Sequence, residues 1–329
     1  MFENATVLIT GGTGSWGHEL VRQLLGYNPK KIIVFSRNES NQVAMQRKFD
    51  DERLQFFIGD IRDKDALVTA SQNIDYIFHL AALKHVPVCE DQPYEALKTN
   101  VIGTQNVIEA AIECKVKKVI YISTDKAANP SNFYGMTKAI GEKLIIYANM
   151  LLDSETSFVC IRGGNVLGTS ESVIHLFMRQ IREKNQINIT DRRMTRFFMT
   201  IQDAIKLLFK ASEESKGGEI FVMAMPACKI VDIAEVLVEA LDKKEVDIKE
   251  IGVRPGEKIH EILFSENERE NTIKYDDEYF VILPSVNSSK LGQVYASYPK
   301  VQMEKFISNN DLMSKEEIKE LLLKGGFLQ

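Results

Sequence analysis

Short runs of β-branched and aromatic residues recur along the first half of the chain: ATVLIT, KKIIVFS, LQFFIGD, DYIFHLAA, KKVIYIS and TSFVCIR. Each is bounded by polar or glycine-rich positions, and amphipathic stretches such as residues 15–26 and 93–115 lie between them. Apolar strands alternating with amphipathic helices predict an α/β fold, a doubly wound parallel sheet covered by helices on both faces. After residue 165 the rhythm breaks into shorter pieces, among them VIHLFMRQIREK, INITDRRMTRFFMT and VDIAEVLVEALDKKEV. The expected division is a dinucleotide-binding (Rossmann) domain over 1–165, with 196–222 returning to it, and a smaller substrate-binding region over 166–195 and 223–329. No repeat or low-complexity linker separates them, so the two regions are expected to share a cleft.

Composition narrows the class. The 329 residues carry 41 Lys+Arg against 46 Asp+Glu with no long run of either sign, which argues against a nucleic-acid or polybasic membrane surface. The four cysteines, Cys89, Cys114, Cys160 and Cys228, form no C-x-x-C pair, and no two histidines have metal-ligand spacing, so neither a disulfide framework nor a catalytic metal is expected. No basic and then apolar leader opens the chain and no stretch is long and apolar enough for a membrane helix. The reading is a cytoplasmic protein with a small-molecule partner.

The first chemical motif is TGGTGSWG, residues 10–17. It follows an apolar strand and precedes a helical run, so Gly11, Gly14 and Gly17, with Thr13, Ser15 and Trp16 on the same turn, are placed to let the backbone meet a pyrophosphate at a helix N-terminus. Trp16 also suits a packing role. The second strand ends in VFSRNES, with Ser36 and Arg37 where an NAD-preferring site usually offers a carboxylate. An arginine suits a 2′-phosphate, so NADP is the expected cofactor. Asp60, beside Ile61, is a candidate acceptor for the adenine amino group. Ala81 and Ala82 leave room for the cofactor, and Lys84 and His85 project beyond the fourth strand toward substrate, whereas His79 reads as a core residue.

STDKAANPSNFYGMTK, residues 123–138, carries the oxidation chemistry. Tyr134 and Lys138 are four apart on a helix expected to start at Pro130, so the ammonium should lower the phenol's pKa and make it a base for a hydroxyl proton. Thr124 aligns the same hydroxyl. Asp125 and Lys126, just upstream, read either as a second acid and base or as a solvated turn at the end of the strand.

Four stretches, LKHVPVCE, STDKAANPSNFYGMTK, ITDRRMTRFFMT and RPGEKIHE, together resemble the extended short-chain dehydrogenase/reductases. Within them the chain is similar to the UDP-N-acetylglucosamine 4,6-dehydratases of the inverting, pseudaminic acid type, over residues 5 to about 265. The resemblance implies that Thr124, Asp125 and Lys126 carry an elimination: neutral Lys126 takes the C5 proton and protonated Asp125 gives its proton to the departing O6. Such roles require that the two do not simply form an ion pair. It also implies UDP-N-acetylglucosamine as substrate, Arg254 at the diphosphate, Asn165 at the nucleotide-sugar, further contacts from Arg196 and Glu257, and a homo-oligomer, dimer or hexamer. Some relatives have methionine at the position of Tyr134. A retaining dehydratase, a UDP-sugar 4-epimerase and a catalytically idle NADP-binding sensor remain the alternatives.

Overall fold

The computed structural model describes residues 1–151, 155–168, 173–243, 246–285 and 289–328. Its centre is a nine-stranded sheet. From one edge the strands run Leu54–Ile58, Lys31–Ser36, Thr6–Thr10, Tyr76–His79, Lys118–Thr124, Ser157–Gly163, Ile220–Met223, Tyr279–Ile282 and Thr272–Lys274. The first seven are parallel and the last two pair antiparallel. Central strands are apolar throughout because helices cover both faces: Val7, Leu8, Ile9, Val119, Ile120, Phe158 and Val159 are wholly buried. Strand order reverses at Thr6–Thr10: the next two strands in the chain are added on its Lys31–Ser36 side, and those from Tyr76–His79 onward on the other. The crevice at such a switch point is where doubly wound sheets bind ligands.

The domain expectation needs one correction. Strand Ile220–Met223 pairs within the main sheet, and helix Ile201–Glu214 packs on Ser15–Leu25. The strands Thr272–Lys274 and Tyr279–Ile282 join it as well, although they lie in the stretch assigned to the second region. Conversely, Thr195–Thr200 pairs outside the main sheet, between Ala227–Lys229 and Asn165–Leu167. A second apolar cluster around Ile174, Phe177, Ile187, Phe198 and Leu237 forms the core of the smaller region.

One buried cation ties the regions together. Arg162, 1% exposed, donates to both carboxylate oxygens of Glu142 at 2.9 and 2.7 Å, to Glu268 at 2.9 and 3.2 Å, and to the Leu263 carbonyl at 2.8 Å. Every face of the guanidinium that this geometry can serve meets an acceptor, which offsets the cost of burying its charge. Among the described residues no helix is long and apolar enough to cross a membrane.

Candidate active site

At the switch point the turn after Thr10 forms one wall of a groove. Gly11 has φ +69°, and a β-carbon there would stand 2.8 Å from the Ala81 backbone. A β-carbon on Gly17 would lie 1.9 Å from the Gly12 carbonyl oxygen, so the helix Ser15–Leu25 can seat on the turn only with glycine there. Gly14 caps that helix without any side-chain bond, so that the helix N-terminus faces the groove with no capping side chain in the way of a pyrophosphate. Gly11, Thr13, Ser36, Arg37, Asp60, Ile61, Ala81 and Ala82 line this one groove. Ser15 opens the helix, and Trp16 packs against the sheet core.

The groove also recruits Thr99, which sequence reasoning missed. Its hydroxyl is buried and without a protein partner, on a π-helical turn Lys98–Ile102 that widens the helix beside Asp60 and Ile61. A hydroxyl left so at the lining of a polar groove fits a bound nicotinamide dinucleotide. Arg37 is largely exposed and stands 3.9 Å from Asp60. Burial opposes ionisation of Asp60, but hydrogen bonds from Arg62 hold its carboxyl below the usual range. Ser36 is fixed by Gln42, whose amide donates to its hydroxyl and carbonyl at 3.0 Å each.

The catalytic candidates stand where the strand Lys118–Thr124 runs into a single 3₁₀ turn, Asp125–Ala127, and then into helix Phe133–Ala148. That helix starts later than Pro130 suggests: Asn132 is its cap, accepting from the Gly135 N–H at 2.8 Å. Tyr134 and Lys138 share a face, but their electrostatics differ from expectation. Burial pushes the Tyr134 phenol up to about 12, and the cation that pulls it back is Lys126, helped by a hydrogen bond with Thr124. Burial brings Lys138 down to about 7, with Glu142 opposing. The Lys138 amine donates to the Ile122 carbonyl at 2.5 Å and sits 3.9 Å over the Tyr121 ring.

A second correction concerns Asp125 and Lys126, which do form an ion pair, at 3.0 Å. Asp125 is wholly buried; its Oδ1 also accepts from the Thr124 hydroxyl at 2.9 Å, while Oδ2 has no partner. Burial works to lower the Lys126 pKa, yet the charges of Asp125 and Glu261 together raise it above the ordinary lysine value. Lys126 therefore rests as an ammonium. Glu261, 3.7 Å away and distant in sequence, adds a second carboxylate that further favours the ammonium.

Of the proposed substrate contacts, Arg196 has a different job. Its guanidinium donates to the carbonyls of Thr195, Lys258 and Ile259 and lies 3.7 Å from Glu261, so it pins the 258–261 segment to the neighbouring strand. Arg254 is half exposed and 3.8 Å from Glu257 on the loop that precedes that segment. The loop docks on the catalytic helix: Ser131 and Asn132 donate to the Gly256 carbonyl at 3.0 and 2.9 Å, and Lys258 donates to the Ala128 carbonyl at 2.9 Å. Asn165 opens a strand next to Gly164, whose β-carbon would lie 3.5 Å from Asp125 Oδ2. Lys84 and His85 are exposed ahead of helix Val86–Asp91. Glu90 on that helix accepts from the Phe133 N–H at 2.6 Å.

Known proteins resemble this chain. The family described as polysaccharide biosynthesis protein matches residues 7–283. The inverting UDP-N-acetylglucosamine 4,6-dehydratase of Campylobacter jejuni is 43% identical over 289 residues, 87% of this chain and 85% of that protein. The UDP-glucose 4-epimerase of Rickettsia massiliae is 40% identical, over 100% of this chain and 98% of that protein. The X-ray structure of Pen from Bacillus thuringiensis is 40% identical, superposes with a TM-score of 0.93, and each chain covers all of the other. Matched over most of its length, the chain belongs to the polysaccharide biosynthesis protein family.

Proposed function

We propose that the protein is an NADP-dependent UDP-N-acetylglucosamine 4,6-dehydratase that inverts C5. The observation that carries this reading is the Asp125–Lys126 pair, packed beside Thr124 and Tyr134. A 4-epimerase needs oxidation at C4 and has no use for a dedicated elimination pair. The name of the Campylobacter relative supports the same reaction and substrate. The groove beside Arg37, with no acid at the end of the second strand, supports NADP.

Bound NADP supplies the oxidant for C4 and the reductant for C6. Tyr134 removes the sugar O4 proton, with Thr124 hydrogen-bonded beside it and the Lys126 charge favouring the phenolate. The C4 ketone then makes C5–H acidic. One proton shift across the 3.0 Å contact turns the resting ion pair into a neutral Lys126 amine and a protonated Asp125. These are the forms an elimination requires. Lys126 takes the C5 proton, Asp125 protonates the departing O6 as water, and the ion pair is restored. Once C6 has regained the hydride taken from C4, a proton from solvent added to the opposite face of C5 would give the inverted 4-keto sugar. Arg254 and Asn165 are assigned to the diphosphate and sugar.

The partner in assembly is a second copy of the chain. Met136, Ile140 and Tyr147 make an exposed apolar stripe along helix Phe133–Ala148, beside exposed Tyr94 and Ile102 on elements packed against it. A patch of this kind on an active-site helix suits a two-fold dimer contact. We place the reaction in the cytoplasm.

The test is NMR of the product from UDP-N-acetylglucosamine in deuterated water. A 4-keto-6-deoxy sugar with deuterium and inverted configuration at C5 is expected. A labelled but uninverted product means a retaining dehydratase, and a C4 epimer without stable ketone means the epimerase reaction of the Rickettsia relative.

A further inference from the structure

Glu261 is the buried group in this centre that the reaction scheme leaves without a task. It is 2% exposed, its Oε1 lies 3.7 Å from both Lys126 Nζ and Arg196 Nε, and its Oε2 has no hydrogen-bond partner. An acceptor left unsatisfied away from water is costly to the fold, and such groups in native proteins call for a functional account. The mount is rigid. The Glu261 N–H donates to Ser308 Oγ at 2.9 Å, its carbonyl accepts from the Ser308 N–H at 2.9 Å, and Arg196 holds the two residues before His260 by their carbonyls.

We propose that Glu261 is a positioning residue for Lys126, a second carboxylate that keeps the amine aimed at the substrate and stabilises the positive charge it acquires on taking the C5 proton. This rests on the dehydratase reading. Lys126 alternates between amine and ammonium during turnover, and Asp125 cannot be its constant counter-ion, because Asp125 is protonated while the amine is neutral. Glu261 takes part in neither proton transfer. As the C5 proton moves, charge develops on Lys126 while Glu261 Oε2 stands free to accept an N–H from it, so the interaction strengthens toward the transition state. Arg196 and Lys258 face the same cluster with opposite sign, and Tyr134 borders it. Removing Glu261 therefore leaves their positive field uncompensated.

The test is Glu261→Gln, which keeps volume and removes charge, beside Glu261→Asp, which keeps charge, and the wild type. In single turnover with UDP-N-acetylglucosamine and NADP, the rise of reduced-nicotinamide absorbance should match wild type within about twofold. Its decay should slow by about 10- to 100-fold. Loss of a negative charge disfavours every protonated form of the cluster, so the pH profile of the decay should move as a whole to lower pH. Glu261→Asp should return the profile toward wild type. A readout independent of turnover is trace acetylation of Lys126, followed by mass spectrometry against pH: labelling should begin at lower pH in Glu261→Gln than in wild type. The proposal is overturned if decay rate and profile are unchanged, if labelling of Lys126 does not shift, or if oxidation falls in step with elimination. A wild type that yields no dehydrated sugar sinks the dehydratase reading instead, and an unshifted Lys126 labelling curve then decides against Glu261 separately.

Discussion

Gly135 and Lys126 meet backbone to backbone: a β-carbon on Gly135 would stand 2.2 Å from the Lys126 carbonyl oxygen. The second turn-facing residue of the oxidation helix thus rests directly on the turn that carries the elimination pair. Neither can move alone.

Gly135→Ala is therefore expected to push helix and turn apart. Overpacking of this kind costs about 1–3 kcal/mol, so the variant should fold with a lowered melting temperature. Its oxidation and elimination rates should fall together, in contrast to variants of single catalytic groups. Thermal unfolding with single-turnover absorbance checks both parts, and intact elimination would show that the turn tolerates displacement.

Tyr134→Phe should bind NADP and UDP-sugar normally but oxidise C4 about 10²–10⁴-fold more slowly, the usual loss for a positioned base. Because the phenol is pushed up to about 12, the fraction of phenolate grows as pH rises. The wild-type oxidation step should therefore accelerate with pH across neutrality, and the variant should lose that dependence. Stopped-flow absorbance at the reduced-nicotinamide band reads both.

Asp125→Asn should leave oxidation in place and stop the reaction there, since Tyr134, Thr124 and the Lys126 cation are retained, whereas Lys126→Ala should block elimination and also slow oxidation, because the charge that favours the Tyr134 phenolate is lost. Reduced cofactor should accumulate on the Asp125→Asn enzyme, with water loss slowed by about 10²–10⁴-fold in both variants. Dehydration at the wild-type rate in either variant would reduce the pair to an ion-paired turn.

Arg37→Ala should weaken NADP binding by roughly tenfold or more and leave NAD binding nearly unchanged, as expected for a side chain that meets only the 2′-phosphate. Its exposure and its loose 3.9 Å contact with Asp60 leave it free to turn toward that group. Calorimetric titration of both cofactors into stripped protein checks it; equal losses would remove the basis for NADP preference.

His79 should make the fold acid-sensitive. It is buried between Thr10 and Thr104 at 2.7 and 3.0 Å, and burial brings it down from 6.5 to about 3. As pH falls below 6.5 the unfolded chain takes up a proton that the native ring refuses. Stability is therefore lost between those values, by about 4 kcal/mol at the acid end. Urea midpoints across this range should fall more steeply in wild type than in His79→Gln.

What could be read from the sequence was local. The glycine turn, the strand rhythm and Tyr134 with Lys138 are defined by spacings of a few residues, and backbone geometry turns such spacings into shape. What could not be read was set by contacts across long stretches of chain. Glu261 was visible in RPGEKIHE as one charged residue among several, and only folding brings it 3.7 Å from Lys126. That approach adds to the field that keeps Lys126 an ammonium beside Asp125. Arg196 looked like a phosphate ligand because its charge is legible in sequence, whereas the carbonyls that occupy it are not. Lys138 was expected to act on the Tyr134 phenol, but the Ile122 carbonyl and the Tyr121 ring hold its amine. The late strands Thr272–Lys274 and Tyr279–Ile282 gave no sign of returning to the main sheet, since strand pairing at an edge depends on what the other strands leave open.

Arg162 has a bearing on how the enzyme comes into being during its synthesis. Its partner Glu142 precedes it on the ribosome, but Glu268 follows it by 106 residues, an interval of about 5–20 s at ordinary elongation rates. Until then the guanidinium lacks half of its acceptors, and Glu261, Lys258 and the loop that docks on the catalytic helix have yet to be made. The nascent chain can assemble its dinucleotide turn early, yet it holds an unfinished catalytic centre until the segment past Glu268 has emerged. A premature stop shortly before Glu268 would thus release a chain that carries the dinucleotide turn but lacks the contacts that complete the catalytic centre.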